Sequence, residues 1–324
     1  MTAVSTGSDG KAGRGLLAAL RGATGPLIGL ILLCLFLSVA TDKFLSVRNF
    51  LNILDQITVL GIMAVGMSFV ILIGGIDLAV GSVLALSMMV MGWLANVMGL
   101  PLPLAMVVAL IASGACGAVS GVLITTFRVP PFIATLAMMS VARGLANMIT
   151  DGQQIVGFSP WFMMLAIERH FGVLTATVAL MLVVVALAWA FLHYRAEGRT
   201  LYAVGGNPEV ARLAGINVKR VTIAVYVAAA VLAGLAGIVL AARLDSVQPS
   251  SGIGYELDTI AAVVIGGTSL SGGSGSIGGT LIGVLIIGVL RNGLNLLNVS
   301  PFLQQVIIGV VIVLAVAAET LRRK

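Results

Sequence analysis

Residues 57–98 read ITVLGIMAVGMSFVILIGGIDLAVGSVLALSMMVMGWLANVM, and their only charged side chain is that of Asp77. A helix needs about 20 mostly apolar residues to cross about 30 Å of hydrocarbon. The stretch is therefore long enough for two membrane-spanning helices, which the Gly-Gly-Ile-Asp sequence at 74–77 separates. It predicts a helical fold that lies within a lipid bilayer.

The rest of the chain has the same character, since 59% of its 324 residues are apolar and only 9% are charged. Soluble proteins carry about 25% charged residues, so lipid must cover much of this surface. We predict an all-α integral membrane protein of about ten transmembrane helices, some of them broken at Gly-rich stretches. The predicted spans are 26–42, 52–74, 78–98, 102–125, 132–149, 172–193, 221–242, 256–270, 277–297 and 303–320.

Charge placement predicts the orientation, because short cytoplasmic loops are enriched in Lys and Arg. With the N-terminus inside, ten spans leave twelve basic residues on the cytoplasmic side and four outside. Both termini are then cytoplasmic; nine spans would place the basic end 321–324 outside, whereas eight or twelve stay possible. We expect residues 1–22 to form a polar cytoplasmic tail, irregular over 1–20. Residues 23–324 form one transmembrane domain, with a cytoplasmic loop at about 194–220.

The interruption after residue 73 is the first candidate site. Glycine pairs and an acid are tolerated at membrane depth only where protein or water satisfies the freed backbone groups, and ionisable groups there are usually functional. One interpretation is a broken helix that lines or supports a solute path. The other is an inner-surface loop in which Asp77 caps the next helix. The candidate path or gate residues are Gly74, Gly75, Asp77, Gly81 and Ser82.

A second Gly-rich stretch, at 266–280, has no Gly-Lys-Ser/Thr sequence and no lysine, so it is not a phosphate-binding loop. We find no nucleotide site and no catalytic set, and we expect the chain not to be an enzyme. The four-residue spacing of Gly275, Gly279 and Gly283 instead predicts one face of a closely packed helix. The lone histidines His170 and His193 do not indicate a metal site.

The cytoplasmic loop contains the start and stop signals of a short helix. Asn207 is a typical N-cap, Pro208 a typical first helical residue, and Glu209 suits the first turn. Gly215 then ends the helix. Such a helix either joins two spans or docks a cytoplasmic partner, and the second is favoured. Arg143 and Arg291, near the outer ends of predicted spans, are expected to extend to the lipid headgroups.

The motifs, taken in order, resemble those of permease subunits of bacterial ATP-binding-cassette (ABC) importers for monosaccharides, a group that includes ribose, xylose and arabinose permeases. The resemblance covers about residues 26–320. The matching stretches are Ala64–Met67, Gly75–Ser82, Pro130–Leu136, Ala142–Gly144, Gly198–Arg199, Gly205–Ile216 and Ala261–Gly273.

The resemblance implies import of a monosaccharide, such as a pentose, across the bacterial inner membrane. It implies three partners: a cytoplasmic ATPase that uses ATP and Mg, a periplasmic sugar-binding protein, and a second permease subunit that forms a homodimer. This chain would bind no cofactor and no nucleic acid. The implied coupling residues toward the ATPase are Gly205, Gly206, Asn207, Pro208, Glu209, Ala211, Arg212 and Gly215.

Other functions stay open beside this one. A secondary transporter or channel for a small polar solute would carry midplane ionisable residues, and the spans hold few. An ABC permease for a branched-chain amino acid or a nucleoside is more distantly similar. A membrane-embedded transferase would need clustered acids or histidines near one interface, and the chain has no such cluster with metal-type spacing.

Overall fold

The computed structural model describes residues 10–170 and 172–322, which form thirteen α-helices and two short antiparallel strand pairs. A π-helical turn, Trp93–Val97, extends α3. The helices are α1 Gly10–Ala40, α2 Val47–Leu72, α3 Val80–Gly92, α4 Leu102–Thr126, α5 Pro131–Met148, α6 Pro160–Ile167, α7 Ala176–Tyr194, α8 Ala196–Gly206, α9 Pro208–Leu213, α10 Val218–Leu244, α11 Tyr255–Ile265, α12 Ile277–Leu296 and α13 Pro301–Arg322. The strands are β1 Ile155–Val156, β2 Arg169–His170, β3 Leu174–Thr175 and β4 Ser246–Val247.

Six of these helices are long and apolar enough to cross a membrane: α2, α3 with its π-turn, α4, α7, α10 and α12. Two shorter apolar helical stretches, Gly25–Ala40 and Pro301–Val311, lie in α1 and α13. The chain is therefore a helical, multi-pass membrane protein. The count of ten spans stays a prediction.

The predicted span at 256–270 is wrong. The helix found there, α11, has 11 residues, and at 1.5 Å per residue it is about 16 Å long, half of what a crossing needs. The segment 248–254 before it is not helical. Backbone carbonyls in that segment are satisfied by a side chain, since Arg143 Nη1 donates to the Ser251 oxygen at 2.8 Å and also to the Pro249 oxygen.

The amino-terminal end also differs from expectation. Helix α1 begins at Gly10, so residues 10–20 are helical where an irregular tail was predicted. Residues 1–9 of that tail lie outside the described residues.

Helix α10 lies at the centre of the bundle and packs on α2, α3 and α4. Glycines allow the backbones to approach: a Cβ on Gly66 of α2 would lie 2.9 Å from the Ala229 Cα, and one on Gly121 of α4 would lie 2.8 Å from the Ile223 Cα. Small residues at such crossings are the means by which membrane helices gain close packing. Tyr226, on the same helix, is fully buried.

Several of the connecting loops meet one another at the two ends of the bundle. At one end, the ends of α2 and α8 meet the loop that follows α11, where Gly273 N donates to the Leu72 oxygen at 2.9 Å. At the other end, β1 pairs with β4, and Arg169 forms an ion pair with Asp55. The predicted cytoplasmic loop at 194–220 thus shares one end with the loop that follows α11, and the predicted outer loop at 150–171 shares the other end with the strand that follows α10.

Candidate coupling and translocation site

The predicted short helix in the long cytoplasmic loop is confirmed as α9. Asn207 Oδ1 accepts hydrogen bonds from the backbone N–H groups of Glu209 at 3.0 Å and Val210 at 3.1 Å, which makes Asn207 the N-cap. Pro208 is the first helical residue. Gly215, at φ +87°, follows the last turn and donates to the Arg212 oxygen at 3.0 Å.

The outer face of α9 combines an ion pair with exposed apolar side chains. Arg212 Nη2 donates to Glu209 Oε2 at 2.8 Å, and both side chains are largely exposed. Val210 is 60% exposed and Leu213 is 83% exposed, whereas Ala211 is buried. Apolar side chains that project from an aqueous surface beside charged ones are typical of protein interfaces, so α9 has the character of a docking element.

A second helix in this predicted cytoplasmic loop, α8, precedes α9 and was not predicted. It carries Gly205, whose missing side chain is required by packing: a Cβ there would collide with the Leu72 carbonyl and the Gly273 N–H. A Cβ on the next residue, Gly206, would meet open space. The carboxyl end of α8 therefore touches both the end of α2 and the Gly-rich loop at backbone distance. We call this contact of Leu72, Gly205 and Gly273 the cytoplasmic junction.

The candidate path residues begin immediately after the cytoplasmic junction. Gly74, at φ +77°, ends α2 in a Schellman arrangement, in which Gly75 N donates to the Val70 oxygen and Gly74 N to the Ile71 oxygen, both at 2.9 Å. A Cβ on Gly75 would lie 2.6 Å from the Tyr226 hydroxyl oxygen. The break between α2 and α3 is therefore a defined turn that packs on the central helix.

Asp77 lies in this break and is 4% exposed. Its Oδ1 accepts from the Ala79 N–H at 2.8 Å, but Ala79 precedes α3, so Asp77 does not cap the helix by bonding its second or third N–H group. Thr135 Oγ1 of α5 donates to the neighbouring Ile76 oxygen at 3.2 Å. Among the side chains that the structure describes, no Lys, Arg or His forms an ion pair with Asp77.

Gly81 and Ser82, the last two path candidates, lie in the first turn of α3 and are buried. Gly81 faces the segment before α11, because a Cβ there would collide with the Gly252 carbonyl and the Glu256 carboxylate. That segment is the one whose carbonyls Arg143 holds. The start of α3 therefore meets the start of the short helix α11.

Arg143 and Arg291 do not extend to the headgroups as predicted. Arg143 bonds the carbonyls of Pro249 and Ser251, and Arg291 forms an ion pair with Asp258 of α11. Neither of these contacts, nor the contact of Thr135 with the Ile76 carbonyl, was predicted from the sequence. An arginine inside an apolar stretch was the available signal, because such a side chain needs a partner when its helix packs inside the bundle.

The predicted glycine face holds only in part. Gly279 and Gly283 of α12 face α11, where a Cβ would collide with the carbonyls of Gly266 and Ala262 respectively. Gly275 is not on this helix: it precedes the N-cap Ser276, and a Cβ there would press on Thr268. The close packing of α12 on α11 therefore involves the two turns that contain Gly279 and Gly283, whereas Gly275 belongs to the loop that connects the two helices.

The described ranges contain no group of three His, Cys, Asp or Glu side chains that could hold a metal ion. Cys34 and Cys116 are both unpaired and partly buried. The candidate site described above consists of backbone contacts, one buried carboxylate and one exposed helix.

Comparisons with known proteins match most of the chain. A family described as branched-chain amino acid transport system / permease component matches residues 49–316. The chain is 48% identical to the ribose import permease protein RbsC of Bacillus subtilis (strain 168), over 91% of this chain and 92% of that protein. It is 38% identical to the D-allose transport system permease protein AlsC of Escherichia coli (strain K12), over 91% and 90%. No solved structure matches.

Proposed function

This chain belongs to the family of branched-chain amino acid transport system permease components, and we propose that it is the transmembrane permease subunit of an ABC importer for a monosaccharide. The relatives named for ribose and allose import match it over nine tenths of its length. Ribose is the solute that we propose, because the ribose permeases are more similar to this chain than the allose protein is.

The observation that carries the proposal is the path from α9 to the membrane break. An exposed docking helix follows Gly205, which touches Leu72, and Leu72 precedes the turn that leads to Asp77. A cytoplasmic ATPase that moves α9 would therefore displace the end of α2 through direct backbone contact. This arrangement supports α8 and α9 as the coupling element and residues 74–82 as part of the gate.

The solute path itself we propose to lie between two copies of the chain. Helix α5 contacts the break through Thr135, and its opposite face is exposed and carries the polar side chains of Ser140 and Asn147 beside the apolar Met148. Exposed polar groups at membrane depth are costly against lipid and are typical of a water-filled cavity. A homodimer that pairs these faces would give a sugar the hydrogen-bonding partners it needs.

Uptake of labelled ribose into cells that lack other ribose importers tests the solute. Cells that express this chain with its ATPase and binding protein should accumulate ribose, and excess allose or xylose should compete less well than ribose. Competition by leucine and not by ribose would contradict the sugar assignment and support the branched-chain amino acid alternative.

Reconstitution tests whether transport by this chain requires a separate ATPase and a sugar-binding protein. The chain alone in proteoliposomes should transport no ribose, and uptake should require the ATPase, ATP, Mg and the sugar-binding protein together. Transport by the lone chain driven by an ion gradient would show that it is a secondary transporter.

A further inference from the structure

A lateral groove opens on the side of the bundle, between α7 and α10, with α2 as its floor. Its volume is about 820 Å³. The wall residues away from the cytoplasmic end are all apolar, among them Val65, Phe69, Val184, Leu187 and Leu232. A sugar would find no hydrogen-bonding partner there, and burying its hydroxyl groups without one is unfavourable. The groove is therefore not part of a sugar path.

Polar residues line the groove only at its cytoplasmic mouth. They are Asn217 and Arg220 at the start of α10, with Glu197 and Thr200 of α8. Glu197 already forms an ion pair with Arg195 at 3.5 Å, and the Thr200 hydroxyl donates to the Glu197 carbonyl. Arg220 forms no ion pair with any side chain that the structure describes.

The mouth carries excess positive charge. Arg220 lines the mouth, and Arg195, which precedes α8, is held there by its ion pair with the single acid Glu197. Arg199 of α8 and Lys219 of α10 are close to these residues in sequence. Basic residues at the cytoplasmic membrane surface attract anionic lipid headgroups.

Aromatic side chains mark the depth of the mouth in the bilayer. Trp189 stacks on His193 with ring centroids 5.3 Å apart, and Tyr194 meets both rings edge-on at the end of α7. Tryptophan and tyrosine concentrate at the headgroup level. From Arg220 to Leu232, α10 rises by about 18 Å at 1.5 Å per residue, which is close to one leaflet of about 15 Å.

We propose that the groove binds an anionic phospholipid of the cytoplasmic leaflet. An acyl chain lies along the apolar wall between α7 and α10, and the phosphate contacts Arg220 at the mouth. The bound lipid would brace α8, and through it the cytoplasmic junction, against the membrane surface.

Native mass spectrometry of the full-length chain tests this proposal with added phosphatidylglycerol. Arg220→Gln should weaken binding about fivefold, as expected for one surface cation. Its matched control is Arg128→Asn, which removes an exposed cation from the predicted cytoplasmic face away from the groove, at a left-handed position that asparagine tolerates. Arg128→Asn should bind phosphatidylglycerol as the unmodified chain does.

A second pair of variants tests the acyl-chain site. Ala228→Phe fills the groove and should abolish tight binding of phosphatidylglycerol. Ala115→Phe, on the exposed face of α4, should leave that binding unchanged. Equal binding of phosphatidylglycerol by all four variants, or equal binding of phosphatidylethanolamine by the unmodified chain, would overturn the proposal. The same spectra report the oligomer, and a loss of dimer in Ala228→Phe with phosphatidylglycerol binding unchanged would assign the groove to a second copy instead.

Discussion

Single glycines in this protein differ sharply in what surrounds them, and the adjacent pair Gly205 and Gly206 shows this best. Both end the same helix, α8, and both have the same intrinsic helix propensity. Gly205 lies against the backbones of Leu72 and Gly273, whereas Gly206 faces open space. The pair separates the effect of packing at the cytoplasmic junction from the effect of adding a methyl group to a helix end.

We predict that Gly205→Ala destabilises the protein by about 1–3 kcal/mol, the range for forced overpacking, and strongly reduces sugar-stimulated ATP hydrolysis. Gly206→Ala should change stability by no more than about 0.5 kcal/mol and should leave hydrolysis intact. Thermal unfolding in detergent and ATPase assays of the assembled importer measure both quantities. Equal behaviour of the two variants would show that the cytoplasmic junction does not transmit coupling.

Asp77 is the other residue whose role can be separated by substitution. Asp77→Asn keeps an oxygen to accept from the Ala79 N–H and should preserve stability. Asp77→Ala leaves that buried N–H without a partner and should cost about 1–3 kcal/mol. We expect ribose uptake to fall in Asp77→Ala by more than the loss of inserted protein explains. Normal uptake by both variants would reduce Asp77 to a local structural role.

At the scale of elements, the short helix α11 is the most unusual part of the fold. It does not cross the bilayer, so its ends must be held inside the protein. Arg143 satisfies carbonyls before its first turn, Gly279 and Gly283 bring α12 against its last turns, and Arg291 of α12 pairs with Asp258. Non-helical backbone at membrane depth is tolerated only where other parts of the protein, or water, form hydrogen bonds with its free N–H and C=O groups.

The ion pair between α11 and α12 gives a prediction. Asp258→Ala leaves Arg291 unpaired and should destabilise the protein by about 3 kcal/mol, the lower end of the range for a buried pair, because the Arg291 side chain is 38% exposed. The double variant Asp258→Ala with Arg291→Met should recover most of that loss, since no unpaired charge remains. Thermal unfolding of the two variants measures the difference, and a double variant less stable than Asp258→Ala would contradict it.

Helix α9 gives the second prediction at this scale. Leu213→Ser removes an apolar side chain that is 83% exposed, so the fold should be unaffected. The affinity of the Leu213→Ser chain for the ATPase should fall about tenfold, as when an interface contact worth about 1.4 kcal/mol is lost. The control is Val47→Ser, because Val47 is also exposed (76%) but lies at the start of α2, at the end of that helix away from Leu72. Pull-down titration measures both, and unchanged affinity of Leu213→Ser would exclude α9 as the docking surface.

For the whole molecule, the testable property is orientation. In a chain with Cys34 and Cys116 replaced by Ala, single cysteines can be placed at Gln154, Ala214 and Arg322. An impermeant maleimide should label position 154 in intact cells, and positions 214 and 322 only in inverted vesicles, as the positive-inside rule requires. Labelling of position 322 in intact cells would rule out an even number of spans with a cytoplasmic N-terminus.

The amino-acid sequence was sufficient to predict the membrane environment of this protein and the start and end of its short helix α9. Apolar runs and few charges indicated a bilayer because hydrophobic length is a property of the chain alone, and the cap and stop of α9 were predicted because capping acts within a few residues. Only the tertiary structure decided that 256–270 holds a half-length helix, that Arg143 and Arg291 have internal partners, and that Gly205 meets Leu72. Those features depend on residues distant in sequence, whose contacts no local pattern encodes.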